Sequence, residues 1–229
     1  MNRLLRALVV LPALALVACG GGGGTNGIEK LSGDKALAKV KADVAGVQSV
    51  HAHGTVSQAG KQLQLDVHVA QSKGVGTLGI GDSHIDMRLV DGTAYVRGDT
   101  AAYTAFGATP QEAQLVADKW LKGSSDSGDL SNFSNFLDLK QLFDSLLTPQ
   151  GTVKTGGTTT VNGQKAFVLI DSSDGGKLYV AETGKALPLR IEKTGTGGGT
   201  IDFSDYDADV SVSAPEGAID LSQLGSSSG

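Results

Sequence analysis

A chain of 229 residues, with 24 acidic against 19 basic side chains and a net charge of −5, has room for one domain with a core of its own. That acidic balance disfavours nucleic acid as a partner, and it disfavours adhesion to anionic membranes through basic side chains. The single cysteine, Cys19, provides neither a disulfide framework nor a thiolate set for zinc, while 33 glycines suit many strands and tight turns.

Arg3 and Arg6 open the chain, and an apolar run from Leu4 to Val17 follows, interrupted by Arg6 and Pro12. The run is too short to span a bilayer and reads as a secretory leader over residues 1–18. Leu16-Val17-Ala18-Cys19 resembles a bacterial lipobox, which implies cleavage before Cys19 and a diacylglycerol on its sulfur; a plain leader with a chance cysteine is the alternative. Loss of the leader removes Arg3 and Arg6, leaving 17 basic against 24 acidic residues and a net charge of −7. Residues 19–33, starting with Gly20 to Gly24, read as a flexible tether. Residues 34–221 read as one domain and 222–229 as a disordered tail.

Leu37, Val40, Val44 and Val47 predict an amphipathic helix over 34–46, capped by Ser32 or Asp34 and ending near Gly46. From Gln48 the period becomes two. A strand over 49–57, a turn at Ala59-Gly60-Lys61 and the alternating Leu63, Leu65, Val67 and Val69 predict a hairpin with one wet face. Strands continue through Val75 to Ile80, Ile85 to Leu89 and Ala94 to Val96. The alternation stops at Ala101, and Thr109-Pro110-Gln111-Glu112 reads as a capping box opening a helix with Ala113, Val116, Ala117 and Trp120 on one side. Phe133, Phe136, Leu139, Leu142, Phe143 and Leu146 recur at helical spacing up to Pro149. Strands then resume over 152–160, 166–170, 177–181, 187–193 and 200–213. The predicted class is α+β: a large curved antiparallel sheet, an open half-barrel, with helices over its concave face. Glycines 74, 76, 79 and 81 are expected to leave room beneath those helices.

No catalytic constellation is legible. Residues 74–79 match a dinucleotide fingerprint by letter, but strands are predicted on both sides of it, whereas the pyrophosphate needs a helix N-terminus. Asp205, Asp207, Asp209 and Glu216 fall at calcium-loop positions, yet Val210 stands where that loop needs glycine. His51 and His53 share a strand face, with His68 and Asp66 across the hairpin and His84 elsewhere; such a face could ligate zinc, but solvated histidines are the ordinary reading, and no metal or cofactor is assigned. The chain is not read as an enzyme.

The stretches Gly176 to Val180, Thr183-Gly184, Leu187 to Ile191, Ile201 to Tyr206 and Val210 to Pro215, with Ser49-Val50-His51, Asp91 to Val96 and Lys119-Trp120-Leu121 upstream, resemble actinobacterial lipoproteins of the LppX/LprAFG family, relatives in fold of the LolA/LolB carriers. The resemblance covers most of 34–221 and rests on turn and strand residues. It implies an unclosed half-barrel enclosing a pocket for lipid tails, in a protein held by its lipid at the outer face of the cytoplasmic membrane. The expected function is binding or transfer of an acylated lipid or glycolipid in the envelope, with Leu115, Val116, Trp120, Phe136, Leu139, Phe143 and Leu146 as cavity candidates and Cys19 as the lipidation site. A non-enzymatic interaction or sensor module with a filled core is the alternative.

Overall fold

The computed structural model describes residues 24–58, 60–126, 130–195 and 197–224, so the leader and Cys19 lie outside the described residues. The alternation read in the sequence sets the faces of the first strands. In β1 (Ser49–Gln58) and β2 (Lys61–Ala70), Val50, Ala52, Leu63, Leu65, Val67 and Val69 are buried on one side, while His51, His53, Asp66 and His68 stand on the other. A meander continues through β3 (Lys73–Ile80), β4 (Ser83–Val90) and β5 (Thr93–Gly98), and β6 (Leu121–Ser124) pairs with β5. A second meander comprises β7 (Val153–Val161), β8 (Gln164–Asp171), β9 (Lys177–Ala181), β10 (Pro188–Lys193) and β11 (Gly199–Ser204). Pairing of β1 with β11 fuses the two into one open sheet of order β12-β6-β5-β4-β3-β2-β1-β11-β10-β9-β8-β7. The architecture is α+β, with the helices on the apolar, concave face.

The last strand is shorter than its sequence pattern predicts. It ends at Ser204, because Asp205 and Asp207 take φ of 50° and 62° and break the extended run. The chain then returns as β12 (Ile219–Asp220), which lies parallel to β6. Two predicted boundaries also move. Residues 26–33, expected within the tether, pack onto the fold: Asn26 donates its side-chain amide to the Ala181 carbonyl at 2.8 Å, and Ile28, in a 3-10 turn (Ile28–Lys30), is fully buried. Residues 222–224, expected in the tail, end a short helix that starts at Leu221.

The helix α1 (Gly33–Val44) buries Val40 and Val44 of the predicted stripe, with Val47 beyond its end, and adds Gly33 and Ala36, while Leu37 is only half-buried; its Ser32 N-cap makes no side-chain capping bond. Gly33 explains the shift: a Cβ there would come within 2.0 Å of the Val153 carbonyl oxygen, so this face of the helix lies directly on β7. At its other end Asp43 accepts the Ala186 N–H at 2.6 Å and pairs with Lys39 at 3.1 Å. Burial alone would raise the Asp43 pKa, but these bonds to the charged form outweigh it and hold the group below its ordinary value of 3.8. A depressed carboxylate pKa contributes stability that is complete above the unfolded-state value and is lost as pH falls through the lower folded value. Asp43→Asn is therefore expected to lower the urea midpoint at neutral pH and to flatten its fall below pH ~4; an acid limb as steep as the parent's would assign that limb to other carboxylates.

After β5 come α2 (Thr100–Ala105) and α3 (Pro110–Val116), the latter opened by the predicted capping box of Thr109 and Glu112. The helix stops before Trp120, since Ala117 leaves helical backbone and Asp118 takes φ 62°. The apolar run up to Pro149 is likewise two helices, α4 (Ser131–Ser134) and α5 (Leu139–Leu146). The break falls at Asp138, whose carboxylate caps α5 by accepting the Gln141 N–H at 2.8 Å.

The strand glycines do not leave a void. Leu137 fills the space over Gly74, its carbonyl oxygen 2.7 Å from where a Cβ would stand. At Gly76 a Cβ would meet the Asp66 carbonyl oxygen of the neighbouring strand at 2.2 Å. Gly79 faces Gln64 on the outer surface and Gly81 sits in a turn at φ 59°.

Candidate functional site

The concave face holds a recess of about 600 Å³ between α1 and α5, open to solvent on one side. Val44 and Val47 form one wall; Leu139, Phe143 and Leu147 form the other. The helical spacing 139-143-147 puts these three on one face of α5, and the Asp138 cap sets where that face begins. Phe143 is held from below by Phe203, at 5.8 Å between ring centroids, and by Tyr206 at 6.5 Å. Tyr206 in turn donates its hydroxyl to the Pro188 carbonyl at 2.7 Å, which ties the recess floor to the second meander.

The rim is polar: Lys41, Gln71, Asp138, Lys140, Gln141 and Asp144. Lys140 is paired with Asp144, whose carboxylate holds the ammonium above the ordinary lysine range. A second hollow of about 340 Å³ shares Leu147 with the first and runs over Leu37, Leu146, Val153, Leu169, Leu178 and Ile191. An apolar floor under a charged mouth can take apolar matter out of water.

The seven residues singled out in the sequence do not form one set. Leu139 and Phe143 line the larger recess and Leu146 the smaller. Val116 and Phe136 are half-buried against the core and line neither. Leu115 is 70% exposed, since α3 presents that face to water. Trp120 is on the opposite side of the sheet: with the helix ended at Val116, the chain enters β6 with Leu121 inward, which turns Trp120 outward between the guanidinium groups of Arg88 and Arg97, 4.7 and 4.9 Å from its ring. The apolar lining residues that sequence reasoning missed are Val44, Ala45, Val47 and Leu147. The signal for the first three was the apolar stripe of α1 running past the helix end, but nothing local says that α5 faces it.

The calcium-template residues are separated by their partners. Asp207 accepts the Gln48 N–H at 2.7 Å and lies 3.6 Å from Lys185, whereas Asp205 lies 3.5 Å from the His51 ring. Residues 74–79 lie inside β3, between β2 and β4.

No protein-family model matches the chain, and comparison with curated proteins finds no match. Among solved structures, the chain is similar to lipoprotein LppX of Mycobacterium tuberculosis, at 15% identity and a TM-score of 0.50, over 79% of this chain and 100% of that one. Lower similarities are found to an uncharacterised conserved protein of Thermus thermophilus (9% identity, TM-score 0.43, 82% of this chain and 96% of that one) and to MucB (16%, 0.40, 80% and 60%). The likeness to LppX shows the fold, an open antiparallel sheet covered by helices.

Proposed function

We propose that this protein is a non-enzymatic, membrane-tethered lipoprotein of LppX/LprAFG type that binds or transfers an acylated lipid or glycolipid in the cell envelope. The observation that carries the reading is the apolar recess of about 600 Å³ between α1 and α5, a volume within the roughly 300–1,000 Å³ of small-molecule sites. Each methylene buried there contributes about 0.8 kcal/mol, so a partly enclosed ten-carbon segment offers useful affinity before the costs of ordering it. The LppX-like fold agrees with this use, and so does the lipobox-like Leu16-Val17-Ala18-Cys19, which would place a diacylglycerol at Cys19 and the domain at the outer face of the cytoplasmic membrane. No helix among the described residues is long and apolar enough to cross a membrane.

Native mass spectrometry of the purified protein, followed by organic extraction, tests the reading. Stoichiometric co-purifying lipid is the expected result, and its mass defines the ligand class. A protein that is bare and takes up no fluorescent acyl probe would make α1 and α5 plain core covers and favour an envelope interaction module.

A further inference from the structure

The convex face, opposite the recess, carries a cluster that lipid binding does not use. His51 and His53 are two apart on β1 and so share that face, and the β1–β2 register sets His68 opposite His51 and Asp66 opposite His53. The His51 ring stacks on His68 at 4.0 Å between centroids with an interplanar angle of 7°, and on His53 at 4.9 Å. Its Nε2 lies 2.8 Å from Asp66 Oδ1, while its Nδ1 lies 3.3 Å from Ser204 Oγ and 3.5 Å from Asp205 Oδ2. Among the described residues no lysine or arginine pairs with Asp66 or Asp205, in contrast to Asp202 beside them, which Arg190 holds through two nitrogens.

We infer that His51, His68 and Asp66 form a binding site for a divalent transition-metal ion of the zinc type. One ligand atom from each lies within 4.8 Å of the other two. Tetrahedral zinc with ligands at about 2.0–2.2 Å needs them roughly 3.3–3.6 Å apart. The remaining closure lies within side-chain reach, because His68 and Asp66 are exposed while the strands beneath them fix the backbone. Two imidazoles and a carboxylate suit a borderline ion such as zinc rather than calcium or magnesium, which take oxygen sets. The Ser204 hydroxyl lies against Nδ1, which leaves Nε2, the nitrogen facing Asp66, as the one to hold the metal, with Ser204 as the outer contact that orients the ligand ring. A shallow depression alongside, lined by His53, Thr55 and Thr77, keeps the remaining coordination positions open to solvent or to His53. The site shares no residue with the recess, so it stands whether or not the protein carries lipid.

Isothermal titration of the full chain, stripped with chelator and titrated with zinc chloride alone, tests the site. One zinc per chain is expected. His68→Ala and His51→Ala should each weaken binding by more than the roughly 10–100-fold that loss of a mere supporting contact costs. His84→Ala, which removes a histidine whose ring faces Asp86 instead, should leave zinc affinity unchanged. If His51→Ala fails to fold, His68→Ala decides, since its ring is exposed. A parent chain that takes up no zinc, or zinc affinity undiminished in His68→Ala, overturns the site; the second result would assign the ion to other side chains.

Discussion

Replacing Ala45 and Leu139 together by tryptophan is expected to lower uptake of dansyl-undecanoic acid about a hundredfold and leave the far-ultraviolet circular dichroism unchanged. The two positions face each other across the recess, Ala45 at the exposed end of α1 and Leu139 in the first turn of α5. Ala45 is exposed on its wall, whereas Leu139 is buried at 4% exposure, so the indole at 139 overpacks the first turn of α5 as it fills the recess. Excluding four methylenes at about 0.8 kcal/mol apiece removes about 3 kcal/mol of binding, which is roughly two decades in Kd. Overpacking in the native state costs about 1–3 kcal/mol, small enough for most domains to survive, and a urea midpoint measured alongside separates lost binding from lost folding. Leu115→Ser serves as the control, because that side chain lies in water away from the recess. Unchanged uptake by a folded double variant would remove the recess between α1 and α5 as the lipid site.

Gly54→Ala is expected to destabilise the protein by at least about 3 kcal/mol, a severe effect for the addition of one methyl group. An alanine Cβ at this position would stand 2.0 Å from the Thr200 carbonyl oxygen, and one at Gly199, across the same pair of strands, would stand 2.1 Å from the Thr55 carbonyl oxygen. In both cases the obstacle is backbone, and it belongs to the β1–β11 ladder that joins the two meanders into one sheet. The ladder cannot yield without separating the two halves, so the strain has no inexpensive outlet. Gly79→Ala is the matched comparison: its nearest neighbour on the wet face is the Gln64 Cβ at 3.3 Å, so a far smaller shift accommodates the methyl group. Urea denaturation of the two variants reads the difference, and equal midpoints would show that the seam tolerates a side chain.

Much of this fold was legible because its signals are local. The period-two alternation of Leu63, Leu65, Val67 and Val69 sets both faces of β2, and the Thr109 to Glu112 capping box starts α3 where predicted. Failures came where one local signal overrode another. The helical spacing from Phe133 to Leu146 spans a break, because Asp138 is a helix cap and not a surface residue of a continuous helix. Trp120 fits the apolar side of an extended α3, yet the left-handed backbone at Asp118 ends that geometry and sends the ring to the other face.

Alternation, capping and turn chemistry act within a few residues, and they suffice for the faces of the first strands, the start of α3 and the α+β class. The pairing of β1 with β11, the facing of α1 against α5 and the placement of His68 over His51 join residues far apart in the chain or across a turn. Such contacts are selected by burial and steric fit over the whole sheet: by Gly33 on β7, Leu137 on Gly74, and the seam at Gly54 and Gly199. The recess and the histidine cluster both lie at meetings of this kind. For that reason the sequence named Leu139 and Phe143 as cavity candidates and read the histidines as solvated, while the three-dimensional packing decided which residues stand together.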